Sequence, residues 1–255
     1  MKSEISLSLV NSNIVLACHI TGIYDVNRNT TLQDNNYELV RNWAESLAAA
    51  HLQGVIFHNN FTAETCEKYE NEHISFIKID YDNRFSPNVY RYFIYKAFLQ
   101  QEMHRFKNIF ITDISDVTVL RNPFSDPFFL ENPTSIFCGD EPTILRNDWM
   151  QAHSEVLRNT IADFTDYEMK FGSETLLNCG IIGGEASLLY DFIQKLSSIH
   201  QQFNSDNKTA YTGDMGAFNY LARTQFNQNI KHGAPVNTVF KMYETERTDC
   251  WFRHK

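Results

Sequence analysis

Two carboxylates three residues apart, Asp113 and Asp116, stand where the apolar run Ile109-Phe110-Ile111-Thr112 breaks off. In a continuing strand that spacing sends the side chains to opposite faces. A strand that ends and turns between them brings both to one side. Clustered carboxylates suit a hard divalent cation such as Mg²⁺ or Mn²⁺, with phosphate oxygens completing its shell. The same residues also read as a strand end closed by an acidic turn, because Asp and Ser bond nearby backbone donors. The spacing leaves both readings open.

The elements that must hold this pair can be read from the apolar pattern. Ile14 to Cys18 reads as a first buried strand, followed by the loop Thr21-Gly22-Ile23-Tyr24 and a helix over 36–50. Gly54 to Phe57 and Ile74 to Ile79 give the next strands. Ser86-Pro87 starts a helix with Ser as cap and Pro in its first turn, and a stripe of Val89, Tyr90, Phe93, Ile94, Ala97 and Phe98 points it at the sheet. Ile109 to Thr112 delivers Asp113. Ser135 to Gly139 and Leu176 to Ile182 are later strands, with helices over 185–202 and 214–224. Residues 143–170 have no clear period, and the aromatic-rich end, 237–255, reads as a cover over the site or the core. Short apolar strands alternating with helices imply an α/β fold with a mostly parallel sheet, whose ligands gather at the carboxyl ends of the strands. At 255 residues without a linker or repeat, the chain reads as a single domain.

A net charge of −9 argues against a nucleic-acid surface, which needs a clustered basic face. The five cysteines are odd in number, scattered and without a Cys-x-x-Cys pair, so neither a disulfide framework nor a zinc site is indicated. With no apolar run long enough for a signal core or a membrane span, a soluble cytoplasmic protein is expected, peripheral membrane contact being left open. The Asn-x-Ser/Thr matches at Asn29, Asn60 and Asn207 are expected by chance in an Asn-rich chain.

The strand-terminal acid pair followed by Pro123-Phe124 resembles the metal-binding motif of GT-A glycosyltransferases, in which a strand ends in Asp-x-Asp. Aligned from the Pro-Phe pair, Asp116 takes the place of the second Asp, and the first carboxylate falls one residue early, at Asp113. The resemblance extends over roughly residues 13–237. It implies one GT-A-like domain with a Rossmann-like sheet, a nucleotide-sugar donor half over about 1–125 and an acceptor half with a metal-binding C-terminal loop over about 126–255, and a metal-dependent transfer of a sugar from a nucleotide-diphosphate donor, a UDP-sugar by analogy, to a glycan or other hydroxyl acceptor.

In that pattern Asp116, Asp113 and the late His232 are the metal ligands, since a neutral imidazole suits Mn²⁺. Gly233 lets the backbone approach the diphosphate. Otherwise His232 is one histidine among nine. Thr21, Gly22 and Tyr24 would meet the nucleoside, Arg91 the nucleotide or diphosphate, and Ser115 the donor beside the metal. Asn178-Cys179-Gly180 resembles the Asn-x-Gly strand that lines the sugar pocket, where an amide serves hydroxyls and Gly leaves room for a ring. Its bland counterpart is a strand bulge. Asp214 at a helix start is first an N-cap, worth about 1 kcal/mol. For an inverting transfer it is also the first candidate general base, with Asp140 and Glu141 next.

Two other classes compete. Phosphohydrolases of the haloacid dehalogenase type also place Asp-x-Asp at a strand end, but their two-residue spacing is missing, position 115 being Ser. A non-catalytic nucleotide-sugar-binding module would keep the fold without turnover.

Overall fold

The computed structural model describes residues 12–25, 29–203 and 213–255. Asn207 and the opening Met1-Lys2-Ser3-Glu4 lie outside them. The first half runs β1 (Asn13–His19), β2 (Tyr24–Asp25), β3 (Thr30–Thr31), α1 (Glu38–Ala49), β4 (Gly54–His58), α2 (Ala63–Tyr69), β5 (Ile74–Lys78), α3 (Pro87–Glu102), β6 (Asn108–Thr112) and β7 (Val117–Val119). The second half runs α4 (Pro127–Leu130), β8 (Ile136–Ile144), α5 (Asp148–His153), α6 (Glu155–Thr160), α7 (Phe164–Phe171), β9 (Thr175–Glu185), α8 (Ala186–Phe203), α9 (Gly213–Gln225), β10 (Ile230–His232) and β11 (Phe252–His254).

Seven strands form the central sheet in the order β10-β8-β9-β6-β1-β4-β5. β9 alone runs against its neighbours β6 and β8, so the expected mostly parallel α/β sheet is present. Its central strands are apolar at successive positions because both faces are covered. Ile14, Leu16, Ile109 and Ile111 belong to the core shared with Tyr92, Tyr95 and Leu99 of α3 and Leu189, Phe192 and Leu196 of α8. Val15, Ala17 and Phe110, pointing the other way, pack with Trp43 and Leu47 of α1 and with Phe124, Phe129, Trp251 and Phe252.

The expected strands and long helices stand within a few residues of their predicted ends. The stripe on α3 differs. Ala97 is exposed and Phe93 half-buried, while Tyr92, Tyr95 and Leu99 are enclosed. α8 packs along this helix, as the Ser197 hydroxyl donating to the Tyr92 carbonyl at 3.1 Å shows, so its buried arc is wider than the sheet alone would require. Ser86 starts the helix without a side-chain cap bond. Residues 143–170 hold α5, α6 and α7, of 6, 6 and 8 residues, too short to display a helical period. The terminal segment contributes β11, which pairs antiparallel with β7 and sets His254 opposite Val117. No helix among the described residues is long and apolar enough to cross a membrane.

Two histidines are locked inside this frame in their neutral form. Burial pulls His58 down to about 4, with Lys78 adding to the effect, and pulls His200 down to about 3, with Arg91 adding. Unfolded, both bind protons near an ordinary value of about 6.5. Their depressed folded values therefore contribute stability that is complete above about pH 6.5 and is lost as pH falls toward 4 for His58 and 3 for His200. The urea midpoint should drop between pH 7 and pH 5, and His200→Leu should shrink that drop. An equal drop in the variant would assign it to other groups.

Candidate functional site

β6 ends at Thr112 and β7 begins at Val117, so the chain turns between the two carboxylates as their spacing requires. The Asp113 amide donates to the Gly180 carbonyl of β9 at 2.7 Å, and the buried Ile114 side chain anchors the middle of the turn. Ser115 is exposed on it.

The imidazole that meets this pair is His254, not His232. Its Nε2 lies 3.8 Å from Asp113 Oδ2 and 3.8 Å from Asp116 Oδ2, and one ligand atom from each of the three residues falls within 4.8 Å of the others. An octahedral ion with bonds of about 2.1 Å separates its ligands by roughly 3 to 4 Å, so the donor set and its spacing fit Mg²⁺ or Mn²⁺. The pairing of β11 with β7 holds His254 there, the Lys255 amide donates to the Asp116 carbonyl at 3.0 Å, and the ring of Phe240 stands edge-on to the imidazole. Gly180 is what makes room. A Cβ at this position would stand 2.5 Å from His254 Cε1 and 2.6 Å from Asp113 Oδ2.

His232 lies elsewhere because β10 runs beside β8, at the far edge of the sheet from β6. Its Nδ1 is 2.9 Å from Asp140 Oδ2, and Gly233, at φ +73°, lies against the same carboxylate.

Arg91 also takes a different place from the one expected. Its guanidinium is buried, ion-paired with Asp113, and within 3.9 Å of Asp214 Oδ2. Burial works against its charge, and the groups facing it, Asp113 foremost with Tyr92, Cys179 and Asp214, together hold it well above its ordinary range. It therefore offsets part of the charge of the acidic cluster, with 9% of its side chain exposed.

Asp214 lies in the first turn of α9, fully enclosed, and Cys179 Sγ is 3.6 Å from its Oδ2. Burial pushes its carboxyl up against the pull of Arg91. Asp214 Oδ1 has no hydrogen-bond partner among the described residues. A carboxylate walled in beside a guanidinium is a poor candidate for the base, which must reach an acceptor.

Asn178 faces the site with both ends occupied. Its Nδ2 donates to Glu141 Oε1 at 2.8 Å and its Oδ1 accepts from the Gly180 amide at 2.7 Å. Burial raises the Glu141 carboxyl, with the Asn178 bond opposing. On the other side, the loop after β1 is braced by polar contacts. Asn59 Oδ1 accepts the Thr21 amide at 3.0 Å, and the Thr21 hydroxyl donates to Asp34 Oδ1 at 3.0 Å. Gly22 has φ +77°, and the Tyr24 ring is 57% exposed, open to stack on a flat ligand.

The groups thus line one edge in spatial order. Thr21, Gly22 and Tyr24 follow β1, Asp113 and Asp116 follow β6, Asn178 and Gly180 lie on β9, Asp140 and Glu141 on β8, and His232 on β10. The one addition that the reading of the sequence missed is His254. Its available signal was the two-residue alternation of Phe252 and His254, both buried on β11.

No protein-family model and no curated protein sequence matches the chain. Among solved structures, it is similar to an active-site mutant of LgtC, with a TM-score of 0.54 at 14% identity over 95% of this chain and 86% of that one. It is also similar to the galactosyltransferase LgtC in complex with donor and acceptor sugar analogs, with a TM-score of 0.50 at 14% identity and the same coverage. The fold is that of the GT-A glycosyltransferases.

Proposed function

We propose that the protein is a metal-dependent glycosyltransferase that moves a sugar from a nucleotide-diphosphate donor, a UDP-sugar, to a hydroxyl of a glycan or glycoconjugate. The observation that carries this reading is the convergence of Asp113, Asp116 and His254 at the carboxyl edge of a GT-A-type sheet. Those three residues would hold Mn²⁺ or Mg²⁺. When bound, the ion supplies Lewis-acid stabilisation of the charge that develops on the departing diphosphate. The chain's own groups do the rest. Arg91 offsets part of the acidic cluster's charge, Asn178 and Glu141 border the space beside it, and the Thr21 loop with Tyr24 offers a braced surface to the nucleoside. A hexose is the expected sugar, and the cytoplasm the expected compartment.

The phosphohydrolase reading needs a strand-end carboxylate free to attack phosphorus. Asp113 is ion-paired with Arg91 on one oxygen and faces His254 with the other, which favours the transferase.

A thermal-shift panel tests the reading. UDP or a UDP-sugar should stabilise the protein by about 2.7 kcal/mol at a hundredfold excess over Kd, and only with Mn²⁺ or Mg²⁺ present. His254→Ala should require a higher Mn²⁺ concentration for the same shift. Equal stabilisation in EDTA would remove the metal bridge from the proposal.

A further inference from the structure

Asp140 and His232 form a second titratable cluster, separate from the three groups that converge on the metal position. Both oxygens of the Asp140 carboxylate are engaged. Oδ2 faces His232 Nδ1 at 2.9 Å, and Oδ1 accepts from Asn237 Nδ2 at 3.4 Å. Asn237, itself buried, also brackets the Asp140 backbone. Its Oδ1 accepts the Asp140 amide at 3.3 Å, and its Nδ2 donates to the Asp140 carbonyl at 3.2 Å. Asn237 Nδ2 also donates to the Thr238 carbonyl at 2.8 Å, so the backbone bonds hold Asp140 in place and its carboxylate is oriented chiefly toward His232. It accepts the Nδ1 proton, and in the neutral form of the ring Nε2 is then the accepting nitrogen. The His232 side chain is 27% exposed, so the imidazole is within reach of a ligand at the surface. Nucleophile-activating and hydroxyl-binding histidines have this build, a ring held in one tautomer by a carboxylate that is itself anchored.

Where the pair stands gives it a substrate. β6, β8 and β10 run in the same direction, so Asp113, Asp140 and His232 share the carboxyl edge of the sheet. The order β10-β8-β9-β6 places His232 three strand spacings from the strand that delivers Asp113, about 14 Å at about 4.8 Å each. The β1 loop lies on the opposite side of β6, one spacing away. A donor bound by its diphosphate at β6 and its nucleoside beyond β1 directs its sugar across β9, toward Asn178 and Glu141. His232 lies past the sugar, where the acceptor must arrive.

We propose that His232, oriented by Asp140, binds the acceptor: its Nε2 takes the hydrogen bond of a hydroxyl on a neutral, polyhydroxylated acceptor lying over the ends of β8 and β10. This rests on the transferase reading for its place in the reaction. His232 is the group that touches the acceptor, and Asp140 is a positioning residue that acts through it.

The test uses the whole chain with ¹⁵N-labelled histidine, UDP with Mn²⁺, and a panel of p-nitrophenyl hexosides as acceptor probes. In the neutral ring of the free protein the Nδ1-protonated tautomer of His232 should dominate, and Asp140→Leu should mix the tautomers. A hexoside that binds should move the Nε2 resonance. His232→Phe should weaken that hexoside about tenfold, the worth of one hydrogen bond, and His232→Gln, whose amide oxygen reaches the place of Nε2, should recover part of the loss. UDP with Mn²⁺ should shift the melting of both variants as it does the parent.

Hexosides that bind without moving Nε2, a panel in which none moves it, or a tautomer indifferent to Asp140→Leu would each overturn the assignment. Failure of UDP with Mn²⁺ to stabilise the parent would instead overturn the transferase reading, while the hexoside titration still decides what His232 binds.

Discussion

Asp116→Ala is expected to lower sugar transfer by about a thousandfold at saturating Mn²⁺ while leaving the melting temperature close to that of the parent. The loss has the size seen when a preorganised group facing developing charge is removed. The fold should tolerate it because Asp116 is half-exposed on a turn, and the bond it accepts from the Lys255 amide is made by its backbone carbonyl, which the substitution keeps. Asp113→Ala should show the opposite balance. That carboxylate already shares its charge with Arg91, so its removal should spare more turnover. It also strands a buried guanidinium, so it should melt the protein earlier. The two variants therefore cross over between a transfer assay and a thermal scan. If Asp113→Ala were the more damaging to turnover in folded protein, the metal would lean on Asp113, and the one-residue displacement of the motif would carry no functional weight.

The sheet was legible because its strands are nearly uninterrupted apolar runs. Ile14 to Ala17, Gly54 to Phe57 and Ile109 to Thr112 are buried on both faces, a short unbroken apolar run that suits a covered strand. The acidic turn was legible for a similar reason, since the two Asp residues follow the buried run Ile109 to Thr112 directly. The third member of the cluster was not. His254 reaches Asp116 only because the last strand returns to pair with β7, more than a hundred residues earlier in the chain, and no local pattern announces a pairing over such a separation. His232 and Gly233 looked like the late metal element because residue type and order were right. The structure spends that imidazole on Asp140 because β10 is three strands removed from β6. The partner of Arg91 was hidden for a different reason: its charge is turned inward to a carboxylate that the next strand delivers, and no pattern on the helix itself announces that contact.

The second large effect is expected at that inward charge. Arg91 donates from Nε to the Asn88 carbonyl at 3.0 Å and from Nη2 to the Tyr92 hydroxyl at 3.2 Å, and pairs with Asp113 while standing 3.9 Å from Asp214. Arg91→Met keeps the aliphatic stem and removes the charge. Asp214 is then enclosed with no cation among the described groups beside it, and breaking a buried pair in this way costs about 3–5 kcal/mol. The urea midpoint should fall accordingly. Adding Asp214→Asn should recover a large part of the loss, because it removes the charge that lost its partner, whereas Asp214→Asn alone should cost less than Arg91→Met, burial having already pushed that carboxyl toward its neutral form. The cycle of the two substitutions isolates their coupling. Strict additivity would mean that Arg91 serves Asp113 alone, and the damage should then reappear in the Mn²⁺ requirement and leave the stability of α9 intact.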